Sequence, residues 1–408
     1  MTLEYVASGT SYIRLGYPAV KEQHNIAFYR KVFSYLNGRN GHEFSLLYNA
    51  WTETGLVPNI MMMRDSFENL YADSGGLQII TQGKSITEQM KLGVYKNQAQ
   101  FSDFGMCFDE IPLQFTGKQS SRTDFSNRFF DKEMLDLRAA ETGQNVLKQI
   151  HTYMEEKSKS KPVIILQGNC YESFMRWLEV ILKQIPQEER KYLGPIAMSG
   201  ASIGTGLLQD IERAYIFSQL DYDCKHLHLL GLGSISRFLP FAIFHHNGMF
   251  KEDLKISYDS TTHTSAPHMG RYYKDGTNID FSRPFDNRYN IIYNDIQSKF
   301  DMGMSIEEYH IAMNVPATKM KDISHTFRAF SSHIVATIDN FTHEVNKVWS
   351  DKSYMEYMIK DNVNLHHLAN CATREEVNSW FTHVSPHVKT AKIANVKPVN
   401  AVDLGFIE

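Results

Sequence analysis

Cysteine is scarce in this chain. Four occur in 408 residues (Cys107, Cys170, Cys224 and Cys371), far apart and with no CxxC pair. That spacing excludes a disulfide framework and an all-cysteine zinc knuckle, and it suits a reducing compartment. Glycine (24) and proline (12) are too few for a low-complexity or collagen-like chain. No run of about 18 apolar residues is present, so no membrane span is expected. The opening MTLEYVASGTSYIRLG lacks the basic-then-apolar pattern of a secretory leader. A cytoplasmic protein with no membrane partner is the expectation. An excess of positive charge is also missing: 42 Lys and Arg against 46 Asp and Glu leave a net charge of -4. Coating of nucleic acid by bulk charge is therefore excluded, while a local basic surface is not.

What remains is ordinary globular usage, 42% hydrophobic and 22% charged, in a chain long enough for a large core. No fixed-period repeat is found. Instead a unit recurs, in which a short apolar run ends in a polar or glycine-rich turn and a helical stretch follows. The runs are Asn69–Ala72 before Asp73, Met106–Phe108 before Asp109, Val163–Leu166 before Gln167, Ile196–Met198 before Ser199-Gly200, Leu227–Leu230 before Gly231, and Ile256–Tyr258 before Asp259. Their turns lie roughly 30 to 60 residues apart, which suits βα units with insertions. Ser173–Gln184 and Gly206–Gln219 read as intervening helices. Alternation of this kind predicts an α/β fold with a parallel sheet. Six or more units favour a closed TIM (β/α)8 barrel, here assigned to residues 1–300, over an open doubly wound sheet.

Beyond residue 300 the pattern changes. Ile323, Phe327, Phe330, Ile334, Ile338, Phe341, Val345 and Val348 recur at spacings of three and four, one apolar face of a long helix. A second helical region spans Tyr354–Trp380. Residues 301–408 are read as a helical extension packed on the barrel, the stripe serving as core, with a dimer surface as the alternative. Lys389, Lys392 and Lys397 in the tail read as a solvated charge run or a phosphate contact.

In a parallel barrel, functional side chains sit where strands end. Asp73 (NLYADSGGLQ), Asp109 (MCFDEIP) and Asp259 (KISYDSTTHTS) stand at such places. Each alone could be a helix cap. Three at one end of successive strands, joined by Gln167 and the glycine-rich SGASIGTG, suggest a pocket in which one carboxylate attacks an anomeric carbon and another moves protons. That logic fits retaining glycosyl transfer and does not name a substrate. Ser74-Gly75-Gly76 reads as a tight turn. SGASIGTG does not have dinucleotide-fingerprint spacing, so no nicotinamide cofactor is expected.

At this point the residues resemble a family. YADSGGLQ is similar to the DSGG(F/Y)Q motif of the tRNA-guanine transglycosylases, and CFDEIP to their FDE(C)xP segment. ILQGNCYE resembles (I/V)QGGxYxDLR, MSGASIGTG resembles GGLAVGE, HLLGLGSISRFL resembles LMGVGxPEDLL, and SYDSTTHTSAPHMGRYY resembles FDCVxPTRxxRxGxxF. All six stand in the family's order within residues 65–275.

The resemblance implies a TIM barrel that exchanges guanine in a polynucleotide for a 7-deazaguanine base through a covalent intermediate. Asp259 would be the nucleophile at C1′ and Asp73 the general acid/base. Ser74, Gly75, Gly76, Leu77, Asp109, Gln167 and Gly200 would bind the base. An ionised carboxylate accepts both N1–H and the 2-amino group of guanine, and Gln167 would match the carbonyl and ring-nitrogen side. Gly231, Leu232, Gly233, Ser234 and Arg237, with His263, Thr264, His268 and Arg271, fall where the family contacts the nucleic-acid backbone. No cofactor is required for this chemistry.

The departures are informative. The cysteine after FDE is Ile111. The PTR segment reads His263-Thr264-Ser265, and the second arginine of that loop is His268. The CxCxxC zinc motif is absent; His366, Cys371, His383 and His387 form a weak substitute, interrupted by Pro386, so Zn²⁺ is a minor expectation. Divergence at the zinc site and the PTR loop around a family-like active site is what a change of polynucleotide would leave. The DNA branch of the family, which inserts 7-deazaguanines such as preQ0 into DNA, is therefore favoured, as in phages; a tRNA enzyme is the alternative. The target nucleoside must leave the stack, and Phe101, Phe104, Phe115 and Tyr258 are candidate stacking faces or plain core. The His226/His228 and His245-His246 pairs read as structural or solvent-facing. Oligomeric state is left open, with a homodimer common in the family.

Overall fold

The structure, a computed structural model, describes residues 1–9, 23–110, 132–168, 171–198, 207–220, 224–281, 287–314 and 324–383. Eight parallel strands close into a barrel in chain order: β1 (Thr2–Ala7), β2 (His42–Asn49), β3 (Leu70–Asp73), β4 (Phe104–Met106), β5 (Lys161–Leu166), β6 (Ile196–Met198), β7 (His226–Leu229) and β8 (Lys255–Ser260). Helices surround it, giving a TIM-type α/β barrel with a helical C-terminal region. An antiparallel hairpin, β9 (Arg271–Lys274) and β10 (Thr277–Asp280), follows β8.

Local composition explains the elements. β5 reads KPVIIL, a β-branched run buried on both faces as parallel strands require. The Tyr171–Gln184 helix that follows places Phe174, Trp177, Leu178 and Ile181 on one buried face. Trp177 Nε1 donates to the Ile165 carbonyl at 3.0 Å, tying helix to strand. β4 is short, and Gly105 at its centre admits neighbours that a Cβ would meet at 2.0 to 2.9 Å: the Tyr153 hydroxyl and Gln98. Gln98 Nε2 donates to the Ala72 and Met106 carbonyls (3.1 and 3.0 Å), and Gln149 Nε2 to Gly105 (3.0 Å). These amides clamp β3 and β4 together just below their functional ends.

Strand alternation sorts the barrel wall into an outward and an inward layer. Tyr5 and Tyr258 face outward into apolar packing. Glu4, Ser45, Tyr71, His226 and Ser257 face inward and bond to one another: Glu4 accepts from Ser45, from Asn69 (2.7 Å) and from Tyr71 (2.8 Å), and pairs with Lys255 at 2.9 Å. This polar cluster lies inside the barrel beside apolar residues that share the inward face by register, among them Val6, Leu47, Phe104, Met106 and Val163.

The long amphipathic helix predicted beyond residue 300 spans Ser324–Ser350. Phe327, Phe330, Ile334, Ile338, Phe341, Val345 and Val348 are all buried, so the stripe is core; Ile323 lies outside the described residues. Phe341 packs on Tyr5 of β1 and Tyr258 of β8 (centroids 6.3 and 6.2 Å). Ser331 Oγ bonds Tyr29 on the Gln23–Leu36 helix at 3.0 Å, and His246 Nε2 at the end of the Ile235–His246 helix meets the Val348 carbonyl at 3.0 Å. This helix therefore occupies the ring position between the helices that follow β1 and β7. It completes the barrel rather than decorating it, so a boundary at residue 300 cuts through a single packing unit. Residues 352–383 form three short helices, Lys352–Ile359, Val363–Ala369 and Arg374–His383, across the second helical region expected over Tyr354–Trp380.

Candidate active site

The inward alternation of β2, β3, β7 and β8 brings Asn49, Asp73, His228 and Asp259 to the C-terminal mouth. Asn49 pairs with Asp73 in the β2–β3 register. Its Oδ1 accepts from the backbone N–H of Trp51 and Thr52, both at 3.0 Å. That fixes the amide orientation and turns Nδ2 toward Asp73 Oδ2 at 3.3 Å. Gly75 follows at φ +74, and a Cβ there would stand 2.9 Å from Asn49 Oδ1 and 3.0 Å from Trp51 Cβ. Only glycine is free of strain in that turn.

Asp109 is held from both sides of its loop. The Phe108 carbonyl accepts from Asn145 Nδ2 at 3.0 Å, and Glu110 N–H donates to Thr142 Oγ1 at 2.9 Å. Its Oδ2 accepts a close hydrogen bond from Gln167 Nε2 at the end of β5. Gln167 is 1% exposed, and its Oε1 is buried with no hydrogen-bond partner among the described residues. One of the two amide N–H groups is thus held by Asp109. The expected contact with a base carbonyl would use the other.

Burial raises the Asp73 carboxyl to about 7, with the nearby Asp109 adding to the rise and Asp259 adding less; N–H groups of Gly75 and Ser74 oppose it. Burial likewise lifts Asp109 to about 6 against the Gln167 bond. Three carboxyl groups therefore share one electrostatic environment, and Asp73 titrates near neutrality.

Asp259 is 8% exposed. Its Oδ1 accepts from the Gly231 N–H at 3.0 Å, and its carbonyl from Leu232 N–H at 2.7 Å. Ser260, not Asp259, caps the Thr261–Thr264 turn by accepting from Thr262 N–H at 3.0 Å, so the helix-cap reading does not apply to Asp259. His228 Nε2 lies 3.5 Å from Asp259 Oδ1.

The residues expected at the nucleic acid divide. Gly231 is exposed, Gly233 and Ser234 are half-buried, Leu232 is buried, and Arg271 is exposed on β9. Arg237 holds Asp210 through Nε and Nη2 (2.9 and 3.1 Å) and donates to the Gly231 carbonyl. Asp210 also accepts from the fully buried Arg213 at 3.1 Å. Arg237 is therefore a brace for the Gly231 loop rather than a free cation. His263 and Thr264 are 2% and 0% exposed. Tyr5 hydroxyl meets His263 Nδ1 at 2.8 Å, and Thr264 donates to the Ser8 carbonyl at 2.7 Å. Both are corrected to interior struts: buried and bonded inward, they offer no group to a polynucleotide. His268 is half-buried with its ring 5.0 Å from Phe330. Ser74 is buried and Gly76 begins the Gly76–Thr81 helix, which carries Leu77; Gly200 and Phe115 lie outside the described residues.

Tyr258 is fully buried against Tyr5, Phe238 and Phe341 with its hydroxyl on His42 (2.8 Å), and belongs to the core. Phe104 packs on Tyr71 and His226, toward the closed end. Trp51 lies at the Gly75 turn, with Lys84 5.0 Å above its ring. Among the described residues no group of three or more His, Cys, Asp and Glu is placed to hold a metal. Cys371 is buried, with Sγ 3.6 Å from the His367 carbonyl, and His366 Nδ1 meets Asn370 at 3.2 Å. His387 lies outside the described residues, as does the side chain of His383. No described helix is long and apolar enough to cross a membrane.

Comparison with protein-family models finds none that matches this chain, and no curated protein sequence matches it.

Proposed function

We propose that the protein is a pentosyltransferase that exchanges guanine in DNA for a 7-deazaguanine base, preQ0 or a relative. The observation that carries the reading is the convergence of Asp73, Asp109 and Asp259 at the C-terminal mouth of the barrel, with Asp73 raised toward neutrality by burial first and by Asp109 and Asp259 after it. In the first half-reaction an Asp259 oxygen bonds C1′ as the C1′–N9 bond breaks. The guanine leaves with that electron pair and takes a proton from Asp73. In the second, Asp73 removes the N9 proton of the incoming base, whose nitrogen bonds C1′ and releases the Asp259 carboxylate. An acid/base group that titrates near neutral pH serves both directions. Asp109, ionised above about pH 6, accepts the N1–H and 2-amino donors of the base. DNA is preferred over tRNA because the chain departs from the family at His263-Thr264-Ser265 and lacks CxCxxC.

The test is base exchange. Labelled guanine or preQ0 is offered with single-stranded DNA, duplex DNA and tRNA, and denaturing electrophoresis reads the protein–nucleic acid adduct. Label entering DNA, with an adduct lost in Asp259→Asn while base binding persists, supports the reading. Incorporation confined to tRNA rejects the DNA preference, and no adduct with any of them rejects the activity.

A further inference from the structure

His226 and His228 alternate on β7, so both side chains enter the barrel, and together they join the polar cluster to the active-site mouth. His228 is fully buried. Its Nδ1 lies 2.8 Å from Ser257 Oγ, which lies 2.8 Å from His226 Nε2. His226 Nε2 is 3.3 Å from the Tyr71 hydroxyl, which donates at 2.8 Å to Glu4, the partner of Lys255.

The direction of this chain follows from counting protons. Tyr71 has one, and Glu4 takes it, so the Tyr71 oxygen accepts from its other neighbours, His226 and Ser257. With the Glu4 carboxylate also 3.6 Å from His226 Nε2, that atom carries the ring hydrogen; burial keeps the ring neutral, with a pKa near 3. The same N–H faces Ser257 Oγ, which accepts it and has its own proton for His228 Nδ1. The Leu227 carbonyl, at 3.3 Å, and the Tyr71 oxygen also face that proton, and the 2.8 Å approach favours Nδ1. With Nδ1 accepting, the His228 hydrogen sits on Nε2, an atom that otherwise has no hydrogen-bond partner among the described residues and lies 3.5 Å from Asp259 Oδ1. The opposite tautomer would set a bare lone pair against a carboxylate oxygen in a dry interior, an unfavourable arrangement. Tyr71 stacks on the His228 ring at 5.2 Å and fixes its plane.

We infer that His228 is a positioning residue for Asp259. Its Nε2–H and the Gly231 N–H converge on Oδ1, orient the carboxylate and leave Oδ2 directed to the substrate. The 3.5 Å separation is long for a hydrogen bond, as such contacts are before substrate tightens them. The inference rests on the proposed reaction only for its kinetic consequence; the tautomer stands by itself.

Long-range ¹⁵N–¹H spectra of ¹⁵N-histidine-labelled protein, assigned with His228→Gln, test the tautomer directly. The expected result is His228 as the Nε2–H form, lost or mixed with the other form in Ser257→Ala. An Nδ1–H form in the wild type overturns the inference. In the adduct assay, His228→Gln, which keeps an N–H donor, should retain most of the rate. His228→Leu should slow adduct formation about 10–100-fold, the usual effect of removing a supporting partner, with KM for the nucleic acid changed less than about threefold. A loss carried by KM, or equal loss in both variants, counts against positioning. If the wild type forms no adduct with DNA or tRNA, the transglycosylase reading falls and the spectra alone decide.

Discussion

Neutralising Asp73 should stabilise the protein, and do so increasingly with pH. The carboxyl titrates at about 7 in the fold against 3.8 for its ordinary value. Its pKa is raised, so folding favours the protonated form; below the ordinary value the group costs nothing. As pH rises from there toward 7 the unfolded chain ionises while the fold must hold the proton. Above 7 the fold bears an ionised, crowded carboxylate. With ~1.4 kcal/mol per tenfold difference, the cost is ~1.7 kcal/mol at pH 5 and reaches ~4 kcal/mol at pH 8. Asp73→Asn removes the charge yet keeps an oxygen for the Asn49 and backbone donors. Its stability gain should therefore grow by ~2–3 kcal/mol between pH 5 and pH 8. Urea midpoints of wild type and variant, read by tryptophan fluorescence at both pH values, measure the difference. A gain that is absent, or the same at both pH values, would refute burial and carboxylate crowding as the source of the raised pKa. The variant should at the same time lose both half-reactions, the pattern expected when an active-site group is held at a cost to stability.

Asp109 lifted to about 6 predicts that guanine binding weakens as pH falls through that value; calorimetric titration at pH 5 and 8 should show this in the wild type, and Asp109→Asn should bind ~10–100-fold more weakly with no such dependence. Arg237→Ala strips one partner from the Asp210 cluster and frees the Gly231 carbonyl. It should cost about 3 kcal/mol, the low end for a broken buried pair because Arg213 remains, and thermal unfolding showing under about 1 kcal/mol would count against the brace. Gly75→Ala forces a left-handed residue into contact with Asn49 and Trp51; a stability loss of about 1–3 kcal/mol is expected, together with slower adduct formation, since Asn49 orients Asp73.

The parts of the site visible in the sequence were those at strand ends. Asp73 and Asp259 terminate apolar runs, and a parallel barrel directs such residues to one mouth. β1 and β2 escaped the list of runs because, among their inward residues, Glu4, Ser45 and Asn49 are polar; interior hydrogen bonding lets a barrel strand break the apolar pattern. His228 carries the same difficulty. Its spacing of two from His226 is the strand period, and that was the available signal, but only the structure sets Ser257 and Asp259 on the adjacent strand beside it. Arg237 and His263 were misplaced for a related reason: a cation or imidazole near a ligand loop reads as a contact, while Asp210 and Tyr5, which claim those two residues, are remote in sequence. The Ser324–Ser350 stripe identified a buried helix, yet an apolar face looks the same on an appendage and on a ring helix.

That last feature bears on how the protein is made. The outer faces of β1 and β8 carry Tyr5 and Tyr258, and the segment that covers them, Ser324–Ser350, is synthesised long after the first strand. Until then the nascent chain holds a seam of exposed aromatics between its two terminal strands, the kind of surface that chaperones bind and that promotes aggregation. Closing it requires contacts of very large sequence separation, which folding reaches late and slowly. Chains truncated before Ser324 should accordingly accumulate as aggregates or chaperone complexes even though all eight strands are present.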